Sequence, residues 1–116
     1  MKNLEQIRAA NALEPAKDLD RSAVNKLPAM ILANGLLATA AFCNAEGSGD
    51  NRGHMKKALE ATAKHLIQRG FLSNGAGNVI NMIGELSEKD SHQLQVITAE
   101  ALAYIAYLKR FAPKRD

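Results

Sequence analysis

Residues 90–111 read DSHQLQVITAEALAYIAYLKRF, a segment whose apolar side chains recur at alternating intervals of three and four. This spacing is typical of one face of a helix, and the residues that show it are Leu94, Ile97, Ala101, Tyr104, Leu108 and Phe111. Asp90 can cap the helix, because Gln93 stands three residues later in the reciprocal capping-box arrangement. Lys109 and Arg110 lie in the final turn, where the helix dipole favours positive charge. The segment predicts a long C-terminal helix with one buried face.

The residues upstream show the same periodicity and predict five more helices. Their expected bounds are 3–14, 15–26, 28–45, 54–69 and 78–86. Pro15 and Pro28 separate the first three helices, because the proline ring removes a backbone donor and restricts the preceding residue. Gly70 suits the end of the fourth, because glycine tolerates the positive φ found after a helix. The helix at 28–45 is apolar nearly all round, so we expect it to be the centre of the core.

Length and composition set the size and class of the fold. The chain has 116 residues, 47% hydrophobic and 23% charged, which is enough for one compact domain and too little for two. Alanine and leucine outnumber valine, isoleucine and threonine by more than two to one, and no segment alternates with period two. We therefore expect a single all-α domain over residues 1–116, a helical bundle of about six helices. The apolar-free run EGSGDNRG predicts a mobile loop near 46–53, and residues 113–116 a short basic tail.

Cysteine usage and hydropathy indicate where the chain works. Cys43 is the single cysteine, so neither an internal disulfide nor a multi-cysteine zinc site can form, and we expect a cytoplasmic protein. Its thiol lies in an apolar stretch and is expected to pack in the core. The longest uncharged segment, 27–45, is slightly short for a membrane span and is interrupted by Pro28 and Gly35. The sequence thus predicts no membrane partner.

The sequence shows no arrangement of residues that is typical of a catalytic site. No two of the three histidines stand four apart on a helix or at metal-ligand spacing from Cys, Asp or Glu, so we expect no metal and no cofactor. His65 is a possible phosphoacceptor, but a histidine on a partly polar face is more often solvated. The glycines at 70–77 match neither a phosphate-binding loop nor a dinucleotide fingerprint. Carboxylates are expected on outer faces near lysines and arginines, so we predict no catalytic residues.

Surface charge carries the remaining functional signal. A net charge of +3 permits a polyanionic partner without requiring one. Lys57 and Lys64 are two helical turns apart and share a face. Aromatic residues make up only 4% of the chain, so contacts to a nucleic acid would be made with phosphates and not by base stacking.

Two groups of segments resemble a known family. Residues 26–31 (KLPAMI), 34–36 (NGL) and 40–42 (AAF) resemble the first signature of the small helical subunit of Cmr-type (type III-B) CRISPR effector complexes. Residues 98–102 (TAEAL) and 107–112 (YLKRFA) resemble its closing signature. Both occur in the family's order, so the resemblance spans most of the chain.

The resemblance implies a helical subunit without catalytic activity, which stacks in several copies along the guide paired to its target RNA. Its implied partners are the backbone subunit, the polymerase-like large subunit, further copies of itself, and the guide and target RNA. Lys26 falls in the first signature, and Lys109 and Arg110 fall in the second. With Lys57 and Lys64 from the helical pattern, these are the candidate RNA-binding residues. The alternatives are a helical protein–protein adaptor with no RNA contact and an enzyme, the latter through His65 or a metal-dependent nuclease.

Overall fold

In a computed structural model, residues 2–45 and 50–114 are described, and the secondary structure within them is entirely helical. This confirms the all-α prediction. Seven α-helices occur in these ranges: α1 (Leu4–Ala16), α2 (Arg21–Val24), α3 (Leu27–Asn34), α4 (Leu36–Asn44), α5 (Asp50–Gln68), α6 (Val79–Leu86) and α7 (Ser91–Phe111). A short 3-10 helix, Asn74–Ala76, lies between α5 and α6.

The loop prediction near 46–53 is wrong for its last four residues, which are helical because α5 already begins at Asp50. The rest of that predicted loop, residues 46–49, lies outside the described residues, as do residues 115–116 of the predicted tail.

Helix α1 continues through Pro15, where the sequence predicted its end. A proline at this position cannot donate to the carbonyl oxygen of Asn11, four residues earlier. The hydroxyl of Tyr104 donates to that oxygen instead, at 2.8 Å. The second predicted helix, 15–26, is correspondingly wrong: turns follow α1, and only the four residues of α2 are helical, with Asp20 as their N-cap.

The continuous central helix predicted at 28–45 is two helices, and it is not the centre of the fold. The chain turns at Gly35, whose φ of 92° and ψ of 160° form a conformation that residues with a Cβ rarely adopt. Leu32 of α3 is 75% exposed and Phe42 of α4 is 44% exposed, so both helices lie at the surface. Pro28 does stand in the first turn of α3, which confirms its role as a boundary.

Helix α5 is the central helix. It contacts α1, α2, α4, α6 and α7. Its small residues Ala58, Ala61 and Ala63 are buried, which lets neighbouring helices approach closely. The helix ends at Gln68, and Gly70 follows this end with a φ of 83°, as predicted; the N–H groups of Gly70 and Phe71 donate to the carbonyls of Ile67 and Leu66.

The C-terminal helix α7 agrees closely with its prediction. Asp90 and Gln93 form the capping box, with hydrogen bonds of 2.8 and 3.1 Å. The predicted face is turned inward, and Ile97, Ala101 and Leu108 are buried along it. Helix α7 therefore forms the second long wall of the core, packed along α1 and α5.

Cys43 of α4 is buried, as the sequence predicted. Desolvation on burial raises the pKa of its thiol to about 11, so the thiolate is disfavoured at neutral pH. Across the described ranges, no helix combines the length and apolar character needed to cross a bilayer.

Candidate functional site

A buried polar cluster joins helices α1, α5 and α7. His65 of α5 is 2% exposed, and its Nε2 lies 2.8 Å from Oε2 of Glu100 on α7. Arg8 of α1 donates from Nε and Nη2 to the two oxygens of Glu100, at 2.9 and 2.7 Å. Asn11 places its Nδ2 2.9 Å from Nδ1 of the histidine. The ring of Tyr104 stacks on the imidazole with centroids 4.2 Å apart, so the three helices share one network.

The sequence expectations for this cluster were wrong. His65 was expected to be solvated and Glu100 to lie on an outer face, yet both are buried. A signal was available for the carboxylate, because Glu100 follows Ile97 by three residues and precedes Tyr104 by four, within the predicted inner face of α7. No comparable signal pairs it with a histidine on another helix.

The hydrogen bonds assign the protonation state of His65. Nδ2 of Asn11 donates both to Nδ1 of the ring and to Oε1 of Gln68, so Nδ1 is an acceptor. Nε2 therefore carries the proton and donates it to Glu100, and the ring is neutral. With Arg8 positive and Glu100 negative, the cluster has no net charge. Both ring nitrogens are occupied and the His65 side chain is fully buried, so the cluster holds helices together and offers no reacting atom to solvent.

The shifted pKa values agree with this arrangement. Desolvation lowers the pKa of His65, although its hydrogen bond to Glu100 acts in the opposite direction. Hydrogen bonding from Arg8 lowers the pKa of Glu100 against the effect of its own burial. Both shifts favour the neutral ring and the ionised carboxylate near neutral pH.

Acidification is expected to destabilise the fold in two steps. The lowered pKa of His65 gives stability that is complete above its unfolded value of 6.5 and is lost as the pH falls through and below that value. The lowered pKa of Glu100 adds a second loss below its unfolded value of 4.5. A pKa that differs by one between the folded and unfolded chain changes the free energy of unfolding by about 1.4 kcal/mol. Urea unfolding between pH 7.5 and about 2.5 covers both steps.

His65→Gln is the control for the first step, because it removes the titrating ring. The variant should keep only the loss at lower pH. An unfolding free energy of the original chain that is constant from pH 7.5 to 5 would contradict the assigned neutral histidine.

The five candidate RNA-binding residues are all exposed: Lys26, Lys57, Lys64, Lys109 and Arg110. Within the described part of the chain, none of them forms an ion pair with an acidic side chain. The structure does not gather them into one patch. Lys57 and Lys64 line one groove, Lys109 and Arg110 line another, and Lys26 lines neither.

The first groove, here called the α1–α5 groove, has mixed charge. Lys57 and Lys64 share it, as their spacing on α5 predicted. Glu14, Asp18 and Glu60 line the same groove, so its acids outnumber its lysines.

The second groove, here called the α2–α7 groove, is lined by Arg21, Ala106, Lys109 and Arg110 and has a volume of about 330 Å³. Three of these four residues are cations, and no acid of the described chain lines it. Glu5 lines a neighbouring groove, which shares Ala106 and Arg110 with this one. Arg21 was not among the five candidate residues, and its approach to the end of α7 is a result of tertiary packing.

In the described ranges, no group of three or more His, Cys, Asp or Glu side chains is placed to hold a metal ion.

Comparison with known proteins gives one finding. A family model described as "CRISPR-associated protein (Cas_Cmr5)" matches residues 4–114. No curated protein and no solved structure gives a significant match.

Proposed function

The chain belongs to the Cas_Cmr5 family, the CRISPR-associated small-subunit family of type III-B, and from this membership we propose a non-catalytic structural role in a Cmr complex. Copies of the chain stack beside the backbone and large subunits and line the guide–target RNA with basic residues. The complex acts in antiviral defence in the cytoplasm.

The non-catalytic role is supported by the surroundings of His65 and Glu100, the acid–base pair with the best geometry for proton transfer. His65 and Glu100 are 2.8 Å apart, a distance suited to proton transfer, but both are buried and bonded to Asn11 and Arg8. A substrate could reach them only if α1 separated from α7. The hydrogen bonds of this pair therefore hold helices together and are not available for catalysis.

The RNA-lining role is carried by one observation: the five candidate cations are exposed and have no ion-pair partner among the described residues. Other lysines do find a carboxylate, as Lys89 does with Glu85 at 3.6 Å. Exposed cations without partners suit a phosphate backbone, whose sequence is read by the guide and not by the protein.

The test is charge reversal in the assembled complex. Replacing Lys26, Lys57, Lys64, Lys109 and Arg110 by Glu should leave the chain folded and incorporated and weaken target-RNA binding by at least about tenfold. The salt dependence should flatten by about 0.7–0.9 in log–log slope for each phosphate that the variant no longer neutralises. Filter binding over a range of KCl concentrations measures both quantities. Unchanged RNA affinity in a fully assembled complex would reject the RNA-lining role and favour the adaptor.

A further inference from the structure

We propose that the α2–α7 groove is where this chain contacts the RNA backbone, with Arg21, Lys109 and Arg110 binding a phosphodiester group, and that the α1–α5 groove makes no such contact. This inference rests on the proposed function. Of the five candidate residues, the inference keeps Lys109 and Arg110 as RNA contacts, and it adds Arg21.

Arg21 is held in place for this contact by the end of α7. Its Nε donates to the carbonyl oxygen of Ala112 at 2.9 Å, and its backbone N–H donates to that of Pro113 at 3.0 Å. Among the described residues, its hydrogen bonds are made by Nε and the backbone N–H and none by Nη1 or Nη2, and we assign these two groups to the phosphate contact. A guanidinium already fixed at Nε loses less freedom on binding, and its planar fork matches two phosphate oxygens.

The last turn of α7 supplies the other two cations. Lys109 and Arg110 follow Ala106 by three and four residues, so the short alanine side chain lies on the face that both side chains flank. Its methyl group leaves the groove open between the cations. The volume of about 330 Å³ is ample for a phosphate group and its adjoining sugar.

The C-terminus of a helix opposes an anion, because its free carbonyls carry about half a negative charge. Here the carbonyl of Leu108 accepts from the N–H of Ala112, and just beyond the helix the carbonyls of Ala112 and Pro113 accept from Arg21, so this partial charge is compensated only in part. Three full positive charges outweigh the remaining partial charge. The groove therefore stays attractive to phosphate.

The α1–α5 groove differs because carboxylates line it together with its cations. Its two lysines share it with Glu14, Asp18 and Glu60, of which Glu14 is also paired with Lys17 at 2.7 Å. A phosphate approaching Lys57 or Lys64 would meet three carboxylates within the same groove. We expect this surface to contribute nothing to RNA affinity.

The test compares two pairs of equal charge change in the assembled complex. Lys109→Glu with Arg110→Glu should weaken target-RNA binding by about tenfold or more and reduce the salt slope by about one to two. Lys57→Glu with Lys64→Glu, the matched control, should change affinity by less than about twofold. Glutamates at a helix C-terminus destabilise the helix, so a second variant, Lys109→Gln with Arg110→Gln, removes both charges without adding acids. It should also weaken RNA binding, by a smaller factor.

Arg21→Lys tests the fixed guanidinium separately. It keeps the charge but removes the fork and the Nε donor, and should weaken binding several-fold with little change in salt slope.

The remaining outcomes are distinct. Loss of affinity only in the Lys57 and Lys64 pair, or equally in both pairs, would overturn the groove assignment and leave the RNA-lining role standing. Full affinity in both pairs and in the five-residue variant, in a complete complex, would overturn both. Failure of the Lys109 and Arg110 pair to enter the complex, with thermal unfolding unchanged, would assign the groove to a protein partner and overturn the proposal.

Discussion

Glu100→Ala should lower the free energy of unfolding by about 3–5 kcal/mol, the largest loss expected from any single carboxylate whose surroundings the structure describes. Glu100 accepts from Arg8 twice and from His65 once, and it is 6% exposed. Its removal leaves the guanidinium without a counter-charge in a partly buried site and leaves the imidazole N–H without an acceptor. Urea unfolding at pH 7.5 measures the difference.

Glu88→Ala is the matched control, because Glu88 is exposed, and it should change stability by less than about 0.5 kcal/mol. If Glu100→Ala prevents folding, Glu100→Gln retains the shape and a smaller loss is measurable. The double variant Arg8→Met with Glu100→Leu should recover much of the loss, since it removes both charges together. A loss of under about 1 kcal/mol for Glu100→Ala would show that the network does not stabilise the fold.

Tyr104→Ala should cost about 3–5 kcal/mol of unfolding free energy, in the range for large-to-small changes in a core. Tyr104 is among the largest fully buried side chains, and its ring covers the imidazole of His65. The change removes this stack and also the donor to the carbonyl of Asn11. Thermal or urea unfolding of the two chains gives the value.

Tyr104→Phe separates the hydroxyl from the ring. It should cost about 1–2 kcal/mol, because the Asn11 carbonyl then has no donor and Pro15 cannot supply one. Tyr107→Phe is the control on the same helix: Tyr107 is half-buried and faces Glu5 near solvent, so its hydroxyl should be worth little. Equal losses in the two phenylalanine variants would contradict the special role of the Tyr104 hydroxyl.

Local patterns predicted those features of the fold that depend on neighbouring residues. The capping box at Asp90 and the positive-φ ending at Gly70 each involve residues within one turn, and both are confirmed. The predicted helix end at Pro15 was wrong, because the hydrogen bond that the proline cannot donate is replaced by one from Tyr104 on another helix. The break at Gly35 was missed because an apolar run with a single glycine resembles a continuous helix in sequence.

In the candidate site, too, local spacing predicted some features, and tertiary packing determined the others. That Lys57 and Lys64 share a face followed from their spacing on one helix. The spacing also places Glu60 beside them, but Glu14 and Asp18 come from α1 and the turn after it, and Arg21 reaches the end of α7 through packing, so these three could not be read from spacing. For the same reason the neutral pairing of His65 with Glu100 was not foreseen: spacing places Glu100 on the inner face of α7, but nothing in it pairs that carboxylate with a histidine on another helix.

The proline in α1 also bears on how related chains can diverge. Because Pro15 leaves the Asn11 oxygen to a phenol on α7, a chain that lost the phenol while keeping the proline would leave that carbonyl without a donor, whereas one that first replaced the proline by a residue with an amide N–H would not. We therefore expect substitutions at positions 15 and 104 to be energetically coupled, although the two positions are far apart in the sequence.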